Sequence, residues 1–222
     1  FTRWCEWCCD AVTILVVRQF SSPQDYQTIW RAMQDFTARR KQDTADELWL
    51  LEHTSVYTQG QAGKPEHLLD AGRIPVVQTD RGGQITWHGP GQMMFYTLLD
   101  NRRLHLGARA LVDVLEQSLI AVLESMGIAS YAKRTAPGVY VKRDGVESKI
   151  AALGLRVKKT GCYHGAALNI DCDLVPFLGI NPCGYQGQSV TRLTDCSSGL
   201  LPRKEIAQRF VGHIVQVLNY SQ

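Results

Sequence analysis

The chain has 222 residues, of which 45% are apolar and 20% charged, and its formal net charge is +3. This composition is ordinary for a soluble globular protein, leaves no reason to expect disorder, and gives enough length for a sizeable core. Because lysine and arginine form no dense stripe interleaved with aromatic residues, we expect no nucleic-acid partner.

The N-terminal segment 1–11 is set apart as an extension that carries Cys5, Cys8 and Cys9. These thiols resemble half of a zinc site, but the sequence offers no matching second half, so no metal is expected. The apolar run at 11–17 is too short to cross a bilayer and lacks the small-residue cleavage site of a secretory signal. No membrane partner is expected. Seven cysteines without two paired C-x-x-C motifs indicate a reducing, cytoplasmic setting with free thiols.

The first half of the remaining chain predicts five strands and one helix. The β-branched run at 12–17 predicts a buried strand. Apolar residues at helical spacing predict a helix over 23–41, with Ser22 as its cap and Pro23 in its first turn. Four further strands are predicted from short apolar runs: LWLLEH at 48–53, SVYTQG at 55–60, IPVVQTD at 74–80 and MMFYTLL at 93–99.

The second half begins with an amphipathic helix predicted over 109–126, which Gly127 ends. The turn dipeptides Asp144-Gly145 and Thr160-Gly161 separate the next apolar runs and favour a meander. Its three strands are GVYVKR at 138–143, SKIAALGLRV at 148–157 and CYHGAALNID at 162–171.

A last helix is predicted over 202–218, with Ile206, Phe210, Ile214 and Val217 facing inward. Most of the predicted strands are joined by turns and not by crossover helices. We therefore expect an α/β (α+β) fold class, in which a single domain over 12–222 has a mixed, mainly antiparallel sheet flanked by helices.

The stretch RGGQITWHGPGQ at 81–92 contains five glycines and prolines among twelve residues. Glycine lets the main chain approach a ligand and exposes N–H groups that can hold a carbonyl, a carboxylate or a phosphate. The spacing matches neither the phosphate loop nor the dinucleotide motif, so nucleotide binding is not indicated. A hairpin whose glycines only make turns stays open as an alternative. His88 alone is more typical of a structural histidine than of a catalyst.

A second candidate segment, GINPCGYQG at 179–187, places Cys183 in a loop between a proline and a glycine. An accessible nucleophile belongs in such a loop, whereas a packing cysteine does not. A thiol with the reference pKa of about 8.5 is mostly protonated at neutral pH, so it needs a base or a cation nearby. Cys162, Cys172 and Cys196 are expected to be inert thiols.

Lys149 is the candidate base. Strand alternation puts it on the same face as Ala151 and Leu153, where lost hydration would lower its pKa. The alternative is that Lys149 lies at the frayed start of the strand and reaches water, and the pattern alone favours this alternative. His164, next to a glycine, is a third candidate.

Five motifs occur in order: RGGQITWHGPGQ at 81–92, APGVYV at 136–141, KIAALGLR at 149–156, HGAALNI at 164–170 and INPCG at 180–184. Together they resemble the signatures of bacterial octanoyltransferases, the lipoyl(octanoyl) transferases of lipoate biosynthesis. The likeness also takes in 52–69 and runs from about residue 12 to the last helix, although Trp87 stands where a tyrosine is expected. It implies the fold of the catalytic domain of biotin and lipoate protein ligases.

The resemblance also implies a reaction, in which an octanoyl or lipoyl group passes from acyl carrier protein to a lysine ε-amine on a lipoyl domain. Expected acceptors are the lipoyl domains of 2-oxoacid dehydrogenase complexes and the glycine cleavage H protein. Cys183 would form the thioester and Lys149 would activate it, with no ATP and no metal. The residues implied to line the acyl chain and its carbonyl are Arg81, Gly82, Gly83, Gln84, Ile85, Thr86, Trp87, His88, Ala152, Leu153, Gly154, Gly165, Ala166 and Ala167.

Three rival functions stay open. An ATP-dependent lipoate or biotin protein ligase on the same fold would bind nucleotide and would not need Cys183. A non-enzymatic module that binds lipoyl domains or acyl carrier protein would form no acyl-enzyme. A cysteine hydrolase would pair Cys183 with His88 or His164, so replacement of Lys149 would leave much of its activity intact.

Overall fold

The computed structural model describes residues 14–21, 23–182, 187–197, 199 and 201–220. The predictions made for the extension with Cys5, Cys8 and Cys9, for Ser22 as a cap, and for the loop position of Cys183 lie outside these residues. Across the part of the chain that is described, no helix is long and apolar enough to span a bilayer.

Within the described residues, ten strands form two sheets. In chain order they are β1 (Leu15–Gln19), β2 (Asp46–Leu51), β3 (Val56–Gln59), β4 (Val76–Gln78), β5 (Ile85–His88), β6 (Gln92–Leu98), β7 (Ser130–Ala132), β8 (Gly138–Arg143), β9 (Val146–Lys158) and β10 (Gly161–Asn169). The larger sheet has the order β1-β2-β6-β10-β9-β8-β7 and the smaller one the order β4-β3-β5. The pairs β1–β2 and β3–β4 are parallel and the other paired neighbours are antiparallel, so the predicted mixed, mainly antiparallel sheet is confirmed.

Helices cover both faces of the larger sheet. They are α1 (Tyr26–Arg39), α2 (Ala108–Glu124), the short α3 (Leu193–Cys196) and α4 (Arg203–Val217), with 3₁₀ turns at Pro65–His67 and Val175–Gly179. Helix α1 packs Ile29 and Met33 on one face, against β2, β6 and β10. Helices α2 and α4 bury their apolar stripes on the opposite face. This arrangement confirms the prediction of a sheet flanked by helices.

Two predictions at the N-terminal end of the described chain are wrong in detail. Strand β1 is an edge strand paired with β2, so Val17 is 42% exposed and not buried as predicted for 12–17. Helix α1 begins at Tyr26, after Pro23, because Oδ1 of Asp25 accepts a hydrogen bond from the Thr28 amide at 2.8 Å and caps the helix there.

The predictions at the other helices hold with one exception. Helix α2 lies within the predicted 109–126 apart from its first residue, and Gly127, at φ 74°, follows its last turn. In α4, Ile206, Phe210 and Ile214 are buried, whereas Val217 is 43% exposed, so its predicted inward orientation is wrong. Strand β7 and helix α3 were not predicted, because three or four residues without a longer apolar run show no period, and β5 was not predicted because it stands among glycines that indicate turns.

A β-bulge interrupts the predicted meander of β8, β9 and β10. Val139 pairs with Ala151 and Tyr140 pairs with Lys149, so Ile150 is an extra residue in β9. A bulge of this kind reverses which residues share a face on its two sides. It therefore decides where the side chain of Lys149 lies.

Strand β9 is longer than its neighbour β8. The β8 ladder ends where Gly138 pairs with Ala152, and beyond that point no described strand pairs with residues 153–158 on that side. Residues 81–84, the glycine-rich loop, occupy this edge instead, since the Gly82 amide donates to the Leu155 carbonyl at 2.8 Å. This contact brings the loop against the strand that carries Lys149.

Candidate active site

A partly open cavity lies between the glycine-rich loop, β9 and β10. All of the predicted substrate-binding residues line it except Gly82 and Trp87. Tyr26, Met94 and Tyr96 also line the cavity and were not predicted as site residues. Their apolar rings and chains are typical of core positions, so the sequence carries no signal that sets them apart.

The two exceptions lie on other surfaces. Gly82 lines a neighbouring groove, and its amide donates a hydrogen bond to the Leu155 carbonyl. Trp87 packs against Phe177 at 5.5 Å between ring centroids, and its Nε1 donates to Oγ of Ser55 at 2.8 Å. The unexpected tryptophan at 87 therefore contributes to packing under β5 and does not line the cavity.

Arg81 is buried and fastens the glycine-rich loop. Its Nε donates to Oγ1 of Thr58 at 3.1 Å, and its Nη atoms donate to the carbonyls of Gly82 at 2.9 Å and Gln84 at 2.8 Å. A guanidinium used in this way orders main chain that glycine would otherwise leave free.

His88 is tied to the protein through both ring nitrogens. Its Nδ1 lies 2.7 Å from Oε1 of Gln92 and its Nε2 lies 3.2 Å from Oγ1 of Thr58. Burial lowers the pKa of His88 well below its ordinary value, so the ring is neutral. Gln92 in turn donates to Oδ1 of Asn169 at 2.9 Å. His88 is thus the first member of a buried chain of polar side chains.

His164 forms a second buried pair, with Asp80. Its Nε2 lies 3.0 Å from Oδ1 of Asp80, which also accepts from the Trp30 indole, while the other oxygen accepts from the Tyr163 hydroxyl. Burial raises the pKa of Asp80, but these hydrogen bonds outweigh it and hold that pKa well below its usual range. Burial lowers the pKa of His164 more than Asp80 raises it, so the imidazole is neutral and the carboxylate is ionised.

Lys149 is 2% exposed, so the interpretation that it reaches water from a frayed strand end is wrong. Its Nζ donates to the Pro137 carbonyl at 3.2 Å and lies 5.1 Å from the centroid of the Tyr140 ring. The prediction that Lys149 shares a face of the strand with Ala151 is wrong as well. Tyr140 pairs with Lys149 and Gly138 with Ala152, so the bulge puts Lys149 on the face of Ala152, which lines the cavity, and not on the face of Ala151.

The segment that follows Cys183 in the chain is attached to the backbone of Lys149. The Lys149 amide donates to the Ser189 carbonyl at 2.8 Å, and the Thr191 amide donates to the Lys149 carbonyl at 3.0 Å. Glu116, which was not predicted, lies nearby and accepts from the Gly138 amide at 2.9 Å. Burial raises the pKa of Glu116, although the charges of Arg109 and Lys149 act against this.

The other described cysteines are free thiols. Cys162 and Cys172 are buried, and burial raises the pKa of each thiol to about 12, so both stay protonated and unreactive at neutral pH. Cys196 is half-buried. No group of three metal-ligating side chains comes together in the described ranges.

Comparison with known proteins defines the family. Residues 25–215 match the family model described as the lipoyl protein ligase A/B catalytic domain. Over 213 residues the chain is 50% identical to an octanoyltransferase from Actinobacillus succinogenes, and the match covers 93% of this chain and 96% of that relative. The chain belongs to the octanoyltransferases of this family. The predicted resemblance is therefore confirmed, and so is the expectation of an acyltransferase enzyme.

Solved structures show that the family shares its fold with ligases. A lipoate protein ligase from Thermoplasma acidophilum, described together with its E2 lipoyl domain, is 14% identical with a TM-score of 0.67, and the match covers 92% of this chain and 83% of that one. A biotin protein ligase from Aquifex aeolicus is 15% identical with a TM-score of 0.52, and the match covers 92% and 68%. The expected biotin and lipoate ligase fold is confirmed.

Proposed function

We propose that this chain transfers an octanoyl or lipoyl group from acyl carrier protein to the ε-amine of a lysine on a lipoyl domain, through a thioester on Cys183. The observation that carries the proposal is the burial of Lys149 on the same face of the sheet as the cavity wall. A lysine held there, beside a cavity built from the family's motif residues, is suited to accept a proton during acyl transfer.

In the first half-reaction, Nζ of Lys149 takes the proton of the Cys183 thiol. The thiolate attacks the thioester carbonyl, the bond between that carbon and the carrier sulfur breaks, and the carrier leaves as a thiol with the proton. One thioester replaces another, so the step is nearly balanced in energy. The hydrogen bonds that tie Ser189 and Thr191 to Lys149 support it, because they hold the segment after Cys183 next to the base.

In the second half-reaction, the amine of the acceptor lysine attacks the acyl-Cys183 carbonyl. The new amide bond forms, the carbon–sulfur bond breaks, and the proton lost by the amine returns to the Cys183 sulfur by way of Lys149. The thioester already carries the activation energy, so the proposal requires neither ATP nor a metal ion.

The acyl chain would lie between β9, β10 and the glycine-rich loop. Ala152, Gly154, Gly165 and Ala167 share the face that lines this space, and such small residues leave room for a methylene chain above the sheet. The acceptors that we propose are the lipoyl domains of 2-oxoacid dehydrogenase complexes and the glycine cleavage H protein, with the reaction in the cytoplasm.

Intact-protein mass spectrometry after incubation with octanoyl-acyl carrier protein, without ATP, tests the proposal. We expect an octanoyl adduct that peptide mapping assigns to Cys183 and that a lipoyl domain discharges. Cys183→Ala should form no adduct, whereas the matched control Cys196→Ala should form it as wild type does. Modification of the lipoyl domain only when ATP and free octanoate are supplied would overturn the proposal in favour of a ligase.

A further inference from the structure

The polar groups around the cavity are almost all paired within the protein. The hydroxyls of Tyr26 and Tyr96 and both ring nitrogens of His88 have side-chain partners. Among the described cavity residues, two buried side-chain atoms have no hydrogen-bond partner, Oε1 of Gln84 and Nδ1 of His164. Gln84 is half-buried on the glycine-rich loop, whereas His164 is 1% exposed in the middle of the sheet.

The pairing with Asp80 decides which ring nitrogen of His164 carries the proton. An ionised carboxylate has no proton to donate, so Nε2 must be the N–H that donates to Asp80. The neutral ring then leaves a lone pair on Nδ1. His164, whose ring lines the cavity, therefore carries an unpaired hydrogen-bond acceptor.

This acceptor is held under strain. His164 has φ 66°, in the left-handed region that a non-glycine residue rarely adopts, although it lies within β10. An unpaired buried acceptor also costs free energy that a hydrogen-bond donor would recover. Strained residues that their surroundings hold in place are frequent at ligand contacts.

His164 and Lys149 lie at different levels along β9, and of the two only His164 lines the cavity. A Cβ atom added to Gly138 would lie 3.2 Å from Nζ of Lys149, so this amine lies beside Gly138. Gly138 in turn pairs with Ala152. His164 pairs with Leu155, three residues further along β9, which is about 10 Å of strand. An extended eight-carbon chain whose carbonyl lies near Lys149 therefore ends close to His164.

We infer that the cavity accepts acyl chains that carry a hydrogen-bond donor, a thiol or a hydroxyl, near their far end, and that Nδ1 of His164 accepts that bond. This inference rests on the proposed acyl transfer. It makes His164 a specificity-determining residue, with Asp80 as the positioning residue that fixes its tautomer.

A competition between S-octanoyl-pantetheine and S-(8-hydroxyoctanoyl)-pantetheine, with a lipoyl domain as acceptor, tests the inference. We expect wild-type kcat/KM for the hydroxylated substrate to be at least equal to that for octanoyl, whereas a wholly apolar end would reject a hydroxyl by up to about 100-fold. A wild-type ratio below one overturns the inference.

His164→Gln places an amide donor toward Asp80 and removes the acceptor at Nδ1. It should lower the ratio of hydroxylated to unmodified substrate by roughly three- to tenfold. Lys158→Met, at an exposed position outside the cavity, should leave the ratio as in wild type. An unchanged ratio in a folded His164→Gln protein would also contradict the inference.

The octanoyl substrate separates two kinds of failure. If wild type transfers neither substrate, the proposed function fails. If it transfers octanoyl but the ratio is below one, only the role of His164 fails.

Discussion

The carbonyl of Lys149 accepts the amide of Thr191 at 3.0 Å, and the carbonyl of Thr191 accepts Nδ2 of Asn169 at 2.9 Å. Asn169 also accepts from Gln92, whose other amide atom meets His88. A single chain of hydrogen bonds thus joins the candidate base, the segment that follows Cys183 and the glycine-rich stretch. Lys149 is positioned by this network as well as by its own strand.

Asn169→Leu should destabilise the protein by roughly 1–3 kcal/mol, because it leaves the Thr191 carbonyl and a Gln92 donor buried without partners. Urea unfolding measures the free energy of unfolding. The rate of single-turnover octanoyl transfer, which should fall if Lys149 is displaced, is measured in parallel. Gln208→Leu, at an exposed position on α4, is the control and should keep wild-type stability. Wild-type stability in Asn169→Leu would show that the network is dispensable.

Lys149→Met keeps the length of the side chain but removes the amine, so octanoyl transfer should fall by about 100-fold or more. Lys149→Arg should fail as well, since a guanidinium stays protonated in proteins. The formation of acyl-Cys183 under single-turnover conditions is the measurement. Lys158→Met, which removes an exposed lysine from the same strand, is the control and should transfer normally. Wild-type rates in Lys149→Arg would rule out Lys149 as the base.

Gly165→Ala should destabilise the protein by about 1–3 kcal/mol, since an added Cβ would lie 1.9 Å from the Phe95 carbonyl oxygen. The contrasting variant is Gly212→Ala in α4, where a Cβ meets no atom and the alanine should stabilise the helix by roughly 0.5–1 kcal/mol. Chemical denaturation of both proteins measures the difference. Equal stabilities would show that the packing around Gly165 does not require a glycine.

The stability of the protein should fall as the pH drops from about 6.5 toward 4. Burial lowers the pKa of His53 from 6.5 to about 4, so between these values the unfolded chain binds a proton that the folded chain excludes. The full loss from His53 is roughly 3 kcal/mol. His88 and His164 act in the same direction, since burial lowers their pKa values too. Urea unfolding at pH 7 and pH 4.5 measures the effect. His53→Asn should show a flatter dependence, and an equal slope would contradict the assignment to His53.

The sequence was sufficient for the order of the main elements because most of them are long enough to show a period. It could not place Lys149, since alternation assumes an uninterrupted strand and the extra residue Ile150 reverses the face. Strand β5 was hidden for another reason. Its four residues stand among glycines that indicate turns, and pairing with β3 decides their structure.

The glycine-rich and small-residue motifs of the candidate site could be predicted from the sequence. The acidic side chains that hydrogen-bond to these motifs could not. Loop and strand residues near 81, 152 and 165 carry glycines and small side chains that distinguish them from core. Asp80 and Glu116 carry no such signal, because an acidic residue at the end of a strand or within a helix is usually solvated. Only the fold brings Asp80 to His164 and Glu116 to Gly138.

The hydrogen bond from Gly82 to Leu155 has a consequence for the solubility of the protein. Residues 153–158 would otherwise offer unpaired backbone groups to any extended chain, including a second copy of the same strand. The glycine-rich loop that borders the cavity therefore also covers the free edge of β9 and prevents another strand from pairing with it. Changes that loosen this loop to admit larger substrates would carry a cost in aggregation as well as in catalysis.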